Sequence, residues 1–295
     1  MAGMSDDFRA HVESGLTTLC RCWEIRRKDG VSYGFTDHDR ALGFDGIEFK
    51  ADTGLSAKAL QQSTGLSVDN SEALGALSDV AVQDADIEAG RFDGAEVRAW
   101  MVNWADVNVR WLQFRGSIGE LRRGGGAFHA ELRGLTEALN RPLGRVFQKP
   151  CTAVLGDKGC KFDLTTPGYV AEIIVTQVER AQRFEWQALS GFEPGWFGKG
   201  RLEVLDGEAK GLWSMVKQDR VNGPNRIVEL WEPIRAKVVA GDTVRLIAGC
   251  DKRMQTCRLK FNNLVNFQGF PDIPGEDWMM AVPKQSGTNT GGSRR

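Results

Sequence analysis

Four of the six cysteines fall in two pairs, Cys151 and Cys160 in "PCTAVLGDKGCKFDL" and Cys250 and Cys257 in "GCDKRMQTCRLKF". Eight residues separate the first two, six separate the second two, and about ninety lie between the pairs. A fold that uses all four must bring two segments, remote in sequence, to one place. Both segments are rich in Gly, Asp and Lys, and each is soon followed by a Phe, so they read as polar loops carrying thiols. Structural zinc takes its thiolates in pairs from tight turns with about two to four intervening residues. These loops are wider and would wrap a larger object, such as a cubane iron–sulfur cluster held by four thiolates. Spacing predicts a four-cysteine metal site and leaves [4Fe-4S] and zinc both open. The nearby glycines would let N–H groups approach a cluster, and Lys158, Lys161, Lys252 and Arg253 would offset its charge.

Between and before these pairs the chain alternates apolar and polar residues in short runs set off by turn signals. Residues 18–27 and 31–39 flank "KDG" and read as a hairpin. Further strands are expected at "IEFKA" (47–51), 95–104, 110–123 and 127–134. Beyond Cys160 they are expected at 168–178, 183–189, 200–207, 212–219, 226–234 and 242–249. Helices are expected at 83–90, stopped by Gly90, and at 135–144, broken at Pro142. The fold class is mainly β, of barrel or sandwich type. Three segments result: an N-terminal β-rich domain (1–145), a C-terminal domain with a β module between the cysteine pairs (146–284) and a flexible tail (285–295).

Composition excludes several function classes. The 38 basic and 39 acidic residues nearly cancel, leaving a net charge of -1 and no general attraction to nucleic acid. The N-terminus "MAGMSDDFRAHVESG" is acidic where a secretory signal would be basic and then apolar. The longest apolar run, "AEIIV" (171–175), is far too short to span a membrane. A chain made in the cytoplasm keeps its thiols reduced, which favours metal ligands or buried thiols over disulfides. Cys20 and Cys22, two apart on an expected strand, point to one face and read as core packing.

Catalytic signals are weak. His38 in "TDHDR" reads as a solvated turn at a strand end, and His11 and His129 have no companion acid or nucleophile at telling spacing. Phosphate-binding loops of the Walker or dinucleotide type are missing. The nine tryptophans sit mostly on alternating strands, where packing or a subunit interface is the better reading than carbohydrate binding.

Three stretches carry a resemblance: "CWEIRRKDGVSYGFTDHDRALGFDGIEF" (22–49), "DADIEAGRFDGAEVRAWMVNW" (84–104) and "AGDTVRLIAGCDKRMQTCRLKFNNLVNFQGFPDIPG" (240–275). Together they make the chain resemble the tail-tip or baseplate hub family of long-tailed phages and gene transfer agents. The cysteine-bearing C-terminal part is also similar to the lambda minor tail protein L, a tail-tip protein with an iron–sulfur domain. The resemblance implies Cys151, Cys160, Cys250 and Cys257 as the ligands of a [4Fe-4S] cluster, with no catalytic residue. It implies an N-terminal module akin to tail-tube and hub folds, in a homotrimeric ring that adapts a six-fold tube to a three-fold tip. Implied partners are a distal tail protein, a central tip or fibre protein and a tail-associated peptidase, with DNA only passing through. The expected location is the tail tip of a virion or gene transfer agent, assembled in the bacterial cytoplasm. The run "FNNLVNFQGFPDIPG" is expected to lead away from the cluster domain.

Overall fold

The computed structural model describes residues 4–51, 55–57, 70–75, 83–124, 127–135, 144–187 and 189–274. Two compact units are present. One comprises Met1–Leu143, Val204–Leu212 and Pro233–Asp242, the other Gly144–Glu203, Trp213–Glu232 and Thr243–Arg295.

The first unit is built on a sheet of nine strands: β1 (Leu19–Arg26), β2 (Ser32–Thr36), β3 (Leu42–Phe44), β4 (Ile47–Lys50), β5 (Leu55–Ala57), β6 (Asn70–Gly75), β7 (Glu96–Asn103), β8 (Arg110–Gly124) and β9 (Ala127–Gly134). Their order is β3-β4-β2-β1-β7-β8-β9-β6-β5, antiparallel except where β2 meets β4. The expected hairpin is β1–β2, with Cys22 opposite Thr36 and Arg26 opposite Ser32. β1 also pairs with β7 along its whole length, Leu19 with Asn103 through Arg26 with Glu96.

Because strand side chains alternate between faces, this register sorts the sequence onto two surfaces. Trp23, Ile25, Val97, Ala99, Phe114, Ile118 and Leu132 share one buried layer with Phe35, Phe92 and Ala95. On the other face Cys20, Cys22, Trp100 and Val102 pack under Phe44 and Phe49. The Phe44 and Phe49 rings stack at 4.2 Å and both meet Trp100 edge-on. The same face continues into a ladder of charges. Buried Glu24 accepts from Arg26 Nε (3.0 Å) and lies 3.7 Å from Arg98, while Glu96 pairs with Arg98 (3.1 Å) and Arg115 (2.7 Å).

Helix α2 (Asp84–Glu88) forms where the sequence placed it and ends before Gly90, at φ 72°. Helix α1 (Asp6–Glu13) is not among the expected elements. Its signal is Ser5, whose hydroxyl accepts from Phe8 N–H, followed by Asp6 and Asp7 in the first turn. Strands β3, β5 and β6 are likewise not among the expected strands. The expected helix at 135–144, apart from Leu135 and Gly144, and the tail at 285–295 lie outside the described residues.

The second unit holds a seven-stranded sheet: β10 (Val170–Ile174), β11 (Gln177–Glu179), β12 (Arg183–Gln187), β13 (Arg201–Val204), β14 (Trp213–Asn222), β15 (Asn225–Leu230) and β16 (Thr243–Ile247). The order is β10-β16-β13-β14-β15-β12-β11. The expected single strand 168–178 is therefore two, parted at 175–176, with β10 at one edge of the sheet and β11 at the other. Its core includes Phe184, Leu202, Val216, Val228, Val244 and Leu246.

One buried ion pair ties this sheet to the loop that supports the cysteines. Arg226 and Asp219 are fully buried and joined at 2.8 Å (Nε) and 2.6 Å (NH2). Arg226 also donates to the carbonyls of Phe192 (3.0 Å) and Glu193 (2.7 Å), and Asp219 accepts from Phe197 N–H (2.9 Å). With every polar atom engaged, the pair fixes the 192–197 loop against β14 and β15. Removing one partner strands a buried charge, so Asp219→Ala should lower unfolding stability by about 3–5 kcal/mol. Denaturant titration checks this, and a loss below about 1 kcal/mol, no more than an exposed pair contributes, would show that the pair is dispensable.

Candidate functional site

The sheet delivers the second cysteine pair. After β16 the chain bonds backward, Ala248 N–H to Tyr169 O (2.8 Å) and Gly249 N–H to Trp196 O (2.9 Å). A Cβ at Gly249 would sit 1.7 Å from Gly198 O, so only glycine permits this approach immediately before Cys250. Lys260 Nζ spans the same point, donating to Trp196 O (2.6 Å) and Gly249 O (3.0 Å) and lying 4.2 Å from the Trp196 ring centroid. Burial lowers the Lys260 pKa, against the opposing pull of Cys250 and nearby carboxylates. Nothing in the sequence marked Lys260.

The expected loop between Cys250 and Cys257 is partly helical. Helix α3 (Met254–Leu259) begins after Arg253, whose N–H is accepted by Asp251 Oδ1 (3.0 Å), and it turns Cys257 inward to 9% exposure. Met, Gln, Arg and Leu all favour a helix, and their propensity prevails over the polar character of the stretch.

The first pair is shaped by Asp157. Its Oδ1 accepts from Gly159 N–H (2.8 Å) and Cys160 N–H (2.6 Å), and its Oδ2 from Val154 N–H (2.7 Å). The two pairs then meet directly, since Cys151 N–H donates to Lys252 O (2.8 Å) and Lys252 Nζ donates to Ala153 O. Under them Phe162, Tyr169, Trp196 and Phe261 form a ring cluster, and Tyr169 OH donates to Lys260 O (2.6 Å).

The run after α3 does not lead away. It returns over the first pair: Gln268 N–H donates to Cys151 Sγ (3.3 Å) and Phe270 N–H to Gln148 O (2.9 Å). A Cβ at Gly269 would lie 2.6 Å from Lys149 O, so the return is close.

Cys151, Cys160, Cys250 and Cys257 line one small recess, together with Lys252, Arg253, Phe261, Asn263 and Asn266. Lys158 and Lys161, expected to offset charge here, are exposed and do not line it. Burial, and then the charges of Cys250, Cys160 and Cys151, push the Cys257 thiol up to about 11. Burial likewise raises Cys250, with Cys151 contributing. Cys257 thus feels the other three cysteines. All six cysteines are unlinked. Among the described residues no three His, Cys, Asp or Glu side chains converge tightly enough for one metal ion.

The remaining candidates fall away from chemistry. Cys20 and Cys22 are packing residues in the aromatic cluster, with Cys22 Sγ donating to Thr36 Oγ1 (3.5 Å). His38 Nδ1 accepts from Arg40 N–H (3.0 Å), and its ring rests on Trp104 at 5.2 Å, a turn as expected. His11 Nε2 accepts from Thr18 N–H (3.1 Å). The side chain of His129 is outside the described residues. No helix among the described residues is long and apolar enough to cross a membrane.

The family model "Baseplate hub protein, N-terminal attachment domain" matches residues 5–163, more than half of the chain. The chain belongs to the baseplate hub protein family. A second model, "Phage conserved hypothetical protein BR0599", matches residues 195–277, which include Cys250 and Cys257. A chain in the solved "Virion of native gene transfer agent (GTA) particle" is similar at 54% identity, covering 98% of this chain and 99% of that one, with a TM-score of 0.91. No curated protein matches the sequence. This hub protein is thus a structural component of a phage-like tail, located at the tail tip of the particle, as its resemblance implied.

The Asp157 knot sets a pH dependence. The Cys160 N–H, with those of Val154 and Gly159, holds its carboxylate below the usual range against partial burial. A lowered folded-state pKa means its contribution is complete above the ordinary carboxylate value, about 4, and is lost as pH falls through the folded value. Hydrogen exchange should show Val154, Gly159 and Cys160 amides protected at neutral pH, unprotected at strongly acid pH after allowance for intrinsic rates, and unprotected at all pH in Asp157→Ala. Equal protection in the variant would remove Asp157 from this role.

Proposed function

We propose that the chain is a non-enzymatic hub that joins the tail tube to the tip and whose second unit is pinned by a [4Fe-4S] cluster on Cys151, Cys160, Cys250 and Cys257. The likeness that spans nearly the whole chain, to a component of a gene transfer agent virion, carries the structural role. In this reading the hub is a homotrimeric ring. It contacts a distal tail protein, a central tip or fibre protein and a tail-associated peptidase, and one face of its first unit lines the path of DNA. The charge ladder suits such a wall. Arg26, Arg98 and Arg115 already have Glu24 or Glu96 as partners, so passing phosphates gain little by stopping there.

The donor set fits the cluster on three counts: four thiols on one recess, two pairs fastened to each other by a backbone and a lysine hydrogen bond, and N–H groups aimed at sulfur. When bound, the cluster supplies cross-links between two segments far apart in sequence, so its binding free energy adds to folding. A single zinc ion is the alternative donor match, and what favours the larger group is the width of the two loops, with eight and six residues between their cysteines. The enzymatic alternative is an iron–sulfur redox or wall-degrading activity; for the latter, a thiol nucleophile at Cys20 with His38 as base is disfavoured, since Cys20 packs in the aromatic cluster and His38 Nδ1 accepts from Arg40 N–H.

The test is genetic and microscopic. Producer cells lacking this chain should release particles without a formed tail tip and with delivery of DNA reduced by orders of magnitude, restored by the wild-type gene but not by Cys250→Ser. Normal tips in its absence would refute the hub role. Rescue by Cys250→Ser would refute the structural role of the cysteines.

A further inference from the structure

The segment that follows the second cysteine pair makes hydrogen bonds to the first pair, and Asn263 is where they concentrate. Its Nδ2 donates to Cys160 O (2.7 Å) and lies 3.4 Å from Cys160 Sγ. Its backbone N–H donates to Cys257 O (3.0 Å), and its carbonyl accepts from the Cys257 thiol (3.3 Å). Asn263 therefore touches one cysteine of each pair. The orientation of its amide is determined by its neighbours, because the Cys160 carbonyl can only accept and Asn263 Oδ1 accepts from Asn266 Nδ2 (2.7 Å). Gln268 N–H supplies the companion bond to Cys151 Sγ (3.3 Å). Both sulfurs of the first pair thus receive N–H donors from the chain beyond the second pair.

We propose that Asn263 is the positioning residue of the four-cysteine centre. It clasps the Cys160 segment to α3 before the cofactor is loaded, and afterwards its amide N–H draws charge from the Cys160 sulfur. This inference rests on the cluster reading above. A donor aimed at a cluster thiolate favours the more negative, reduced state, so it raises the reduction potential, and its removal lowers it. A residue that merely filled space would leave the potential unmoved.

The experiment uses the full-length protein produced anaerobically, with Asn263→Leu and Asn263→Asp beside the parent. Asn263→Leu removes the donor at similar size, and Asn263→Asp replaces it with a negative acceptor. The midpoint potential, read by optical redox titration, should move negative in Asn263→Leu and further in Asn263→Asp, with iron lost to a chelator several-fold faster in both. Unchanged potential and iron loss would overturn the proposal. If the variants take up no iron, alkylation of Cys160 by iodoacetamide in the metal-free proteins decides: a several-fold faster reaction than in the parent supports the clasp, and equal rates overturn it. If the parent itself holds no iron, the cluster reading fails on its own, and the metal-free comparison still tests the clasp.

Discussion

The Cys151 N–H to Lys252 O hydrogen bond, 2.8 Å long, is the point on which the second unit depends. It joins two segments that share no strand pairing and lie about a hundred residues apart in sequence. Holding them together costs loop-closure entropy that one hydrogen bond does not offset. The structure reinforces the junction from three sides: Lys252 Nζ on Ala153 O, Asn263 on Cys160, and Gln268 N–H on Cys151 Sγ. A four-thiolate cofactor in the same recess would add covalent cross-links there, and the fold would owe much of its order to them.

The support for that junction runs outward into the sheet by named contacts. Asp219 and Arg226 fix the 192–197 loop, and Trp196 on that loop accepts from Gly249 N–H and Lys260 Nζ. Gly249 then presents Cys250. Each step is short and satisfied, so the position of a thiol is set by an ion pair on the far side of the loop. The first unit follows a different logic, in which one sheet separates a mainly apolar layer from a face that is part aromatic and part ion-paired.

Much of this was legible in the sequence, and the reasons for the rest are physical. Strands with alternating side chains between Gly-rich turns, such as 95–104 and 226–234, were found because burial of one face imposes the pattern. The four cysteines stand out in the sequence because thiols on polar loops have few other uses, and the structure places them on one recess. Helix α3 was missed since six residues are too few to show a helical period, and α1 since its signal is a cap before an acidic turn. The split between β10 and β11 leaves no composition mark, because Val175 stays buried through the break. Asn263, Gln268 and Lys260 carry no sequence mark, as their partners include backbone carbonyls and cysteine sulfurs brought near only by the tertiary fold. The "NFQGF" run was distinctive for a reason the sequence does not display: it closes over Cys151 instead of leaving it.

The central claim is that four cysteines from two remote segments hold one iron–sulfur cluster that pins the hub's second unit. Iron and acid-labile sulfide analysis of anaerobically purified protein, with Mössbauer spectra of the same sample, tests it most directly. The account predicts about four iron and four sulfide per chain in a single cubane signature. Stoichiometric zinc, or a folded protein with no bound metal, would contradict it.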